Sequence, residues 1–176
     1  LKDSELHTRK AIKINPNFLQ AYLNLGAILQ DSSQIEEAEL VTRKAIKLNP
    51  NLEMAYYNLG NILRGIGKLD EAELSTRKAI KINPDFAIAY FSLGRILKDL
   101  GKLNLAELST RKALKLNPDY ASAHNILGNI LMQLGNLEEA IFHYKKVMII
   151  DKMRHDAVYG FGQTLLKKGN HSEGLI

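Results

Sequence analysis

The sequence predicts an all-α protein, a solenoid in which antiparallel helix pairs stack with a period of 34 residues. The dipeptide Asn-Pro recurs at this spacing and begins at residues 15, 49, 83 and 117. A longer phrase recurs with it, as AELVTRKAIKLNP over 38–50 and AELSTRKAIKINP over 72–84. A fixed period of this length is typical of stacked supersecondary units, each too small to bury its own apolar face.

Each period contains a helix, a turn and a second helix. In residues 19–52, Tyr22, Leu25 and Leu29 follow the three-and-four spacing of one helical face, and a second such run follows a polar turn. The second run ends at Asn-Pro, because proline disfavours helix at the residue before it and donates no backbone hydrogen bond. We therefore expect helices near 1–14, 19–31, 35–48, 53–65, 69–82, 87–99, 103–116, 121–133, 137–150 and 155–167.

The turn inside each period carries a residue that ends the first helix. Gly67, Gly101 and Gly135 occupy it in three copies, and glycine readily takes the left-handed conformation that ends a helix. Ser33 stands there in the first full copy, which is a local departure from the pattern.

A second set of glycines lies inside the first helices, where glycine is about 1 kcal/mol less favourable than alanine. Gly26 and Gly60 are the first two members of this set. We expect the second helix of the same pair to pass too close for a side chain there, with Ala38 and Ala72 as the facing small residues.

Composition excludes several classes of protein. Apolar residues make up 45% of the chain, yet no apolar run approaches the roughly 18 residues of a membrane span. Cysteine is absent, which excludes disulfides and thiolate metal sites. We expect a cytoplasmic protein with no membrane segment.

The positive charge raises the question of nucleic acid, because the net charge is +5 and the isoelectric point is near 9.3. Recurring Arg-Lys pairs on the second helices supply much of it. However, a glutamate precedes each arginine by four residues, as Glu39 precedes Arg43, which is the favourable orientation for a helical ion pair. The pattern therefore indicates an ion-paired outer face and disfavours nucleic acid as the partner.

No group of residues has the spacing of a catalytic or metal site. The five histidines show no metal-ligand spacing with carboxylates, and the serines and threonines recur as copies of the repeat. His124 occupies the bulky position that Tyr22, Tyr56 and Tyr90 fill in the other copies, which favours a packing role. We expect no catalytic residue, no metal and no cofactor.

The residues at fixed places in the period resemble the tetratricopeptide repeat, abbreviated TPR, and the match spans essentially the whole chain. The first full copy supplies the pattern residues Tyr22, Leu25, Gly26, Leu29, Ala38, Thr42, Ala45 and Pro50. Threonine stands where the family has an aromatic residue, and we expect it to loosen that contact without changing the fold. The resemblance implies a right-handed superhelix whose first helices line a concave groove.

The period divides the chain into repeats. We expect one array over 1–176: the second helix of a truncated repeat at 1–18, full repeats at 19–52, 53–86, 87–120 and 121–154, and a partial repeat at 155–176. Neither end supplies a convincing polar capping helix, which repeat arrays need for solubility. We therefore expect an excised portion of a longer protein that self-associates end to end through open terminal repeats.

The resemblance also implies where a partner binds, because the family's groove is lined by residues two, five, six, nine and twelve of each repeat. Asparagine amides there can hydrogen-bond a peptide backbone, aromatic rings offer flat apolar contacts, and cations favour acidic groups. The candidate partner-binding residues are Asn24, Tyr57, Asn58, Asn61, Arg64, Phe91, Arg95, Lys98, Asn125 and Asn129. Asn24 and Asn58 occupy the place of the asparagine ladder in the repeat domain of O-linked N-acetylglucosamine transferase, and the ladder ends at Ser92.

Two functions remain open from the sequence. The chain, which resembles bacterial TPR proteins, is expected to be a protein- or peptide-binding scaffold that uses the concave groove. The alternative is a non-catalytic arm of a larger enzyme, for example a glycosyltransferase, that presents a substrate or supports assembly.

Overall fold

The computed structural model describes residues 2–169 and contains ten α-helices and no strand in that part of the chain. The helices are α1 (Lys2–Ile14), α2 (Leu19–Asp31), α3 (Ile35–Leu48), α4 (Glu53–Gly65), α5 (Leu69–Ile82), α6 (Ala87–Asp99), α7 (Leu103–Leu116), α8 (Ala121–Leu134), α9 (Leu137–Ile150) and α10 (His155–Lys168). The all-α repeat class is confirmed, and each helix boundary lies within one residue of its expected position.

The helices form two compact units, residues 1–85 and residues 86–176. In the first unit, α2 packs on α3 and α4 packs on α5, and α3 joins the two pairs by packing on α4. In the second unit, α6 pairs with α7 and α8 pairs with α9, and α10 packs on α9. Each helix thus contacts mainly its neighbours in the chain, as expected of a repeat protein.

First helices also contact the first helix of the next repeat. These contacts join α2 to α4 in the first unit, and α8 to both α6 and α10 in the second. Such contacts place the exposed sides of successive first helices next to each other within a unit.

The turns between the paired helices need a left-handed residue. Gly67 has a φ of +76°, and Ser33 takes the same conformation with a φ of +60°. The departure at Ser33 therefore changes the residue and leaves the turn geometry intact. A serine in this conformation is strained, because its Cβ approaches the following carbonyl oxygen.

The second helices end in an extended residue whose side chain closes a turn. Asn49 is extended, with a φ of −140°, and its Oδ1 accepts a hydrogen bond of 3.0 Å from the backbone N–H of Asn51. Asp151 has a φ of −139° and accepts in the same way from Met153, although no proline follows it. The Asx side chain thus preserves the helix end in the fourth full repeat.

In the first three full repeats, the side chain nearest the first-helix glycine is threonine rather than alanine, which corrects one expectation from the sequence. A Cβ on Gly26 would lie 2.7 Å from the Thr42 hydroxyl oxygen, but 4.0 Å from the nearest Ala38 atom, a backbone oxygen. Gly60 meets Thr76 in the same way. The threonines are fully buried at the position where the resemblance leads us to expect an aromatic residue.

Tyr144 fills this position in the fourth repeat and reaches further. A Cβ on Gly128 of α8 would lie 2.8 Å from the Tyr144 ring, and one on Gly160 of α10 would lie 2.6 Å from it. The ring is fully buried among Leu127 and Leu131 and packs two successive first helices onto α9. A single aromatic side chain therefore connects three helices of the second unit.

Candidate partner-binding faces

The first unit carries five of the candidate residues on α2 and α4. Asn24 is exposed on α2, and its Oδ1 accepts a 2.9 Å hydrogen bond from Gln20. Tyr57, Asn58 and Asn61 are partly exposed on α4. Arg64 lies one turn further along α4 and is also partly exposed. The structure therefore places all five at the surface, on adjacent first helices.

The candidates on α6 form an aromatic and cationic group. The Arg95 guanidinium lies 5.6 Å from the centre of the Phe91 ring, and the Phe91 ring lies 4.8 Å from that of Tyr120. The Lys98 ammonium lies 3.8 Å from the Asp99 carboxylate. An aromatic face attracts a guanidinium through its quadrupole, which favours this position of the Arg95 side chain.

The Asn125 side chain is buried and hydrogen-bonded to another helix. It is 6% exposed, and its amide nitrogen donates a 2.7 Å hydrogen bond to Asp156 of α10. The Arg154 guanidinium donates two hydrogen bonds to the same carboxylate, at 3.0 and 2.9 Å. These hydrogen bonds lower the pKa of Asp156. Asn125 thus joins α8 to α10, so it is less available to a partner than its register suggests.

Asn129 is partly committed as well. Its Oδ1 accepts a 2.8 Å hydrogen bond from the Tyr144 hydroxyl, which satisfies the buried end of that side chain. Burial raises the pKa of Tyr144 to about 12. Sequence reasoning missed this role because the partner is a side chain 15 residues away on a different helix.

A pocket of about 490 Å³ lies between α8 and α10 in the second unit. Its lining residues are Met132, Gln133, Tyr159, Gln163, Leu166 and Lys167. Met132 and Gln133 are residues twelve and thirteen of the fourth repeat. The other four are residues five, nine, twelve and thirteen of the fifth repeat. The groove pattern that selected Asn125 and Asn129 would have found Tyr159 and Gln163 if it had been extended into the fifth repeat.

The arginines of the second helices bond to carboxylates, as the four-residue spacing predicted. Arg43 bonds Glu39 on its own helix at 2.8 Å, and Arg111 bonds Glu107 at 2.8 Å. Each also reaches the next second helix in its unit, Arg43 to Glu71 at 3.2 Å and Arg111 to Glu139 at 2.7 Å. Sequence reasoning missed this second carboxylate, which lies 28 residues along the chain.

The fourth repeat contains a buried histidine pair. His124 and His143 are 7% and 5% exposed, and their Nδ1 atoms lie 2.8 Å apart. Nε2 of His124 lies 2.9 Å from the Pro118 carbonyl oxygen, just as the Tyr22 hydroxyl donates to Pro16 in the first repeat. The packing role expected for His124 is therefore confirmed.

Burial, together with the electrostatic repulsion that a second positive charge beside His124 would meet, lowers the pKa of His143 to about 4. The Glu139 carboxylate, 3.7 Å from its Nε2, opposes the shift, and Arg111 adds to it. If both rings are neutral and Nε2 of His124 donates to Pro118, then Nδ1–H of His143 donates to Nδ1 of His124.

Residues 2–169 contain neither a cluster suited to a metal ion nor a helix suited to a membrane. No cluster of three or more histidine, cysteine, aspartate or glutamate side chains there is arranged to hold a metal ion. No helix in the same span combines the length and apolar character needed to cross a membrane.

The repeated helix pairs, small interhelical residues and polar first-helix faces define a helical repeat protein of the protein-interaction class. Three tetratricopeptide repeat profiles match the chain, at residues 7–39, 54–86 and 91–148. The chain belongs to the tetratricopeptide repeat family. No curated protein matches the sequence.

Solved structures of the family resemble the chain closely in fold. YrrB, described as a TPR protein with an unusual peptide-binding site, is 28% identical, with a TM-score of 0.75 over 96% of this chain and 87% of its own. MamA is 25% identical, with a TM-score of 0.74 over 84% and 86%. PilF of Pseudomonas aeruginosa is 19% identical, with a TM-score of 0.82 over 89% and 71%, and supports the fold alone.

Proposed function

We propose that this tetratricopeptide repeat scaffold binds an extended segment of a partner protein along the exposed sides of its first helices. The fold itself is that of a protein-interaction scaffold. The finer proposal is that the face used is the one formed by α2 and α4 in the first unit, and by α6, α8 and α10 in the second.

The observation that carries the proposal is the contrast between the two kinds of helix. First helices present amides and aromatic rings at the surface, such as Asn24, Asn58 and Tyr57. An amide both donates and accepts, so it suits the backbone of an extended peptide. The peptide-binding site attributed to YrrB supports the same use of the repeat.

The second helices offer less to an anionic ligand. Their arginines Arg43 and Arg111 each bond two carboxylates. A phosphate would have to displace these carboxylates, whereas nucleic-acid binding draws its affinity from neutralising phosphates and releasing counterions. A protein segment is therefore the favoured partner.

We also propose that copies of the chain associate through α1. None of its described residues is buried, and Leu6 and Ile14 are exposed, Ile14 by 86%. Sedimentation of the protein over a wide concentration range tests this. We expect concentration-dependent association that weakens in Ile14→Glu, and a strict monomer at high concentration would contradict it.

Amide hydrogen exchange tests the peptide-binding proposal. The probe is a peptide selected on the full chain from a random displayed library, and exchange is compared with and without it. We expect added protection on first helices and little on α3, α5, α7 and α9. Protection concentrated on the second helices would overturn the proposal.

A further inference from the structure

We propose that the pocket between α8 and α10 binds one large apolar side chain of a peptide segment that carries an acidic residue next to it. This inference rests on the proposed function, because it names the chemistry of the segment that the first helices of the second unit recognise. The pocket volume of about 490 Å³ lies within the range of ligand-binding pockets.

Three of the six lining residues are suited to an apolar side chain. Met132 and Leu166 contribute flexible aliphatic surface, and the thioether of methionine adapts to different shapes. Tyr159 is 71% exposed, so its ring is available for contact with a ligand. An aromatic ring exposed to this extent beside two aliphatic side chains favours a bound leucine, methionine or phenylalanine over a polar side chain.

The polar lining is suited to an extended backbone. Gln133 and Gln163 are exposed on α8 and α10, and both line the pocket. A carboxamide donates and accepts, which matches the alternating N–H and C=O groups of an extended segment. The pocket thus combines apolar surface for one side chain of the peptide with carboxamides that can hydrogen-bond to any peptide backbone.

The charge of the pocket favours a peptide with an acidic residue next to the bound apolar side chain. Lys167 lines the pocket, and its ammonium donates to the Met132 carbonyl oxygen at 3.1 Å. An ammonium has three protons, so two remain for a carboxylate. None of the six lining residues is acidic. Lys168, by contrast, pairs with Glu138 at 3.4 Å and does not line the pocket.

Methyl NMR of the full chain, labelled at the methionine methyl groups, tests the apolar part. Met132 reports on the pocket, while Met54, Met148 and Met153 serve as internal references. The probes are the tripeptides N-acetyl-Glu-Leu-Glu-amide and N-acetyl-Glu-Ala-Glu-amide. We expect the leucine probe to shift the Met132 signal selectively and to bind about tenfold more tightly than the alanine probe, because more apolar surface is buried.

A second comparison tests the charge. N-acetyl-Lys-Leu-Lys-amide should bind at least about fivefold more weakly than the glutamate probe. Lys167→Glu should remove this preference, whereas the matched variant Lys168→Glu, with the same change in net charge, should retain it. Met132→Leu assigns the reporter signal, and Tyr159→Ser should weaken the leucine probe without altering its charge preference.

The outcomes separate this inference from the function on which it rests. Equal binding of the leucine and alanine probes, equal shifts at Met54 and Met132, or equal loss in Lys167→Glu and Lys168→Glu would overturn the pocket assignment. A display-selected peptide that still protects α2 and α4 from exchange would leave the proposed function standing. Protection of second helices alone would overturn both.

Discussion

Tyr144 of α9 packs against Gly128 of α8 so closely that a Cβ on the glycine would lie 2.8 Å from the ring. Thr42 and Thr76 hold the corresponding place opposite Gly26 and Gly60. In each of these repeats the second helix leaves no room for a Cβ on the glycine, while the side chain that fills the contact changes from threonine to tyrosine. A glycine is needed on the first helix in either case.

Gly128→Ala should destabilise the protein by about 1–3 kcal/mol through overpacking, despite the better helix propensity of alanine. The matched control is Gly65→Ala in α4, where an added Cβ meets nothing within 4 Å. That change should be neutral or stabilise by up to about 1 kcal/mol. Thermal unfolding measures both, and equal melting temperatures for the two variants would mean that the contact with Tyr144 is not tight.

Ser33→Gly should stabilise the protein by about 1 kcal/mol, because glycine adopts the left-handed conformation at φ +60° without strain. The expected rise in melting temperature is roughly 2–4 °C. Ser32→Gly should instead destabilise, since Ser32 has a φ of −89° and its hydroxyl donates to the Ile28 carbonyl oxygen at 2.8 Å. A fall in melting temperature for both variants would contradict this account of the turn.

The histidine pair should make the fold sensitive to mild acid. His143 has a pKa of about 4 in the folded protein against a reference value of 6.5, so the unfolded chain takes up the proton first. Stability should therefore fall as the pH drops from about 6.5 toward 4. Arg111 and His124 oppose the imidazolium, and Glu139 compensates only in part.

Urea unfolding at about pH 7 and about pH 5 measures this sensitivity. The double variant His124→Tyr, His143→Ser restores the residues of the second and third full repeats, Tyr56 with Ser75 and Tyr90 with Ser109. It should lose less stability on acidification than the natural chain. An equal loss in both proteins would show that other groups, such as the carboxylates, control the acid response.

The ion pair between Arg111 and Glu139 should contribute little, although its length is only 2.7 Å. Both side chains are about 40% exposed, and surface pairs typically contribute about 0–1 kcal/mol. A double-mutant cycle with Arg111→Gln and Glu139→Gln should give a coupling energy in that range that shrinks with added salt. A coupling well above this range, insensitive to salt, would assign the pair a larger role in joining α7 to α9.

The helices could be predicted from the sequence because the period is constant. In addition, Asn-Pro follows the second helix of every helix pair except the last, α9. Side-chain contacts between different helices could not be predicted in this way. The Gly60–Thr76 contact, the second carboxylate of Arg43 and the bond from Asn125 to Asp156 depend on how two helices turn toward each other, which a one-dimensional pattern does not contain. The histidine pair could be predicted only by knowing that positions 124 and 143, which lie on different helices, are neighbours.

The outcome for the candidate site follows the same division. Register alone placed Asn24, Asn58 and Tyr57 on surface-accessible first helices. It could not indicate that Asn125 and Asn129 are engaged within the second unit, because their partners Asp156 and Tyr144 come from other helices.

The central claim, that a partner binds the first helices, is tested most directly by titrating one display-selected peptide against two variants at two salt concentrations. One variant replaces first-helix residues by alanine: Tyr57, Asn58, Asn61, Arg95 and Lys98. The other reverses Arg43, Arg77 and Arg111 to glutamate, and circular dichroism is used to check that both variants fold. The account predicts at least tenfold weaker binding for the first-helix variant, about 1.4 kcal/mol, and nearly unchanged binding for the outer variant. Loss of binding in the outer variant alone, with steep salt dependence, would contradict it.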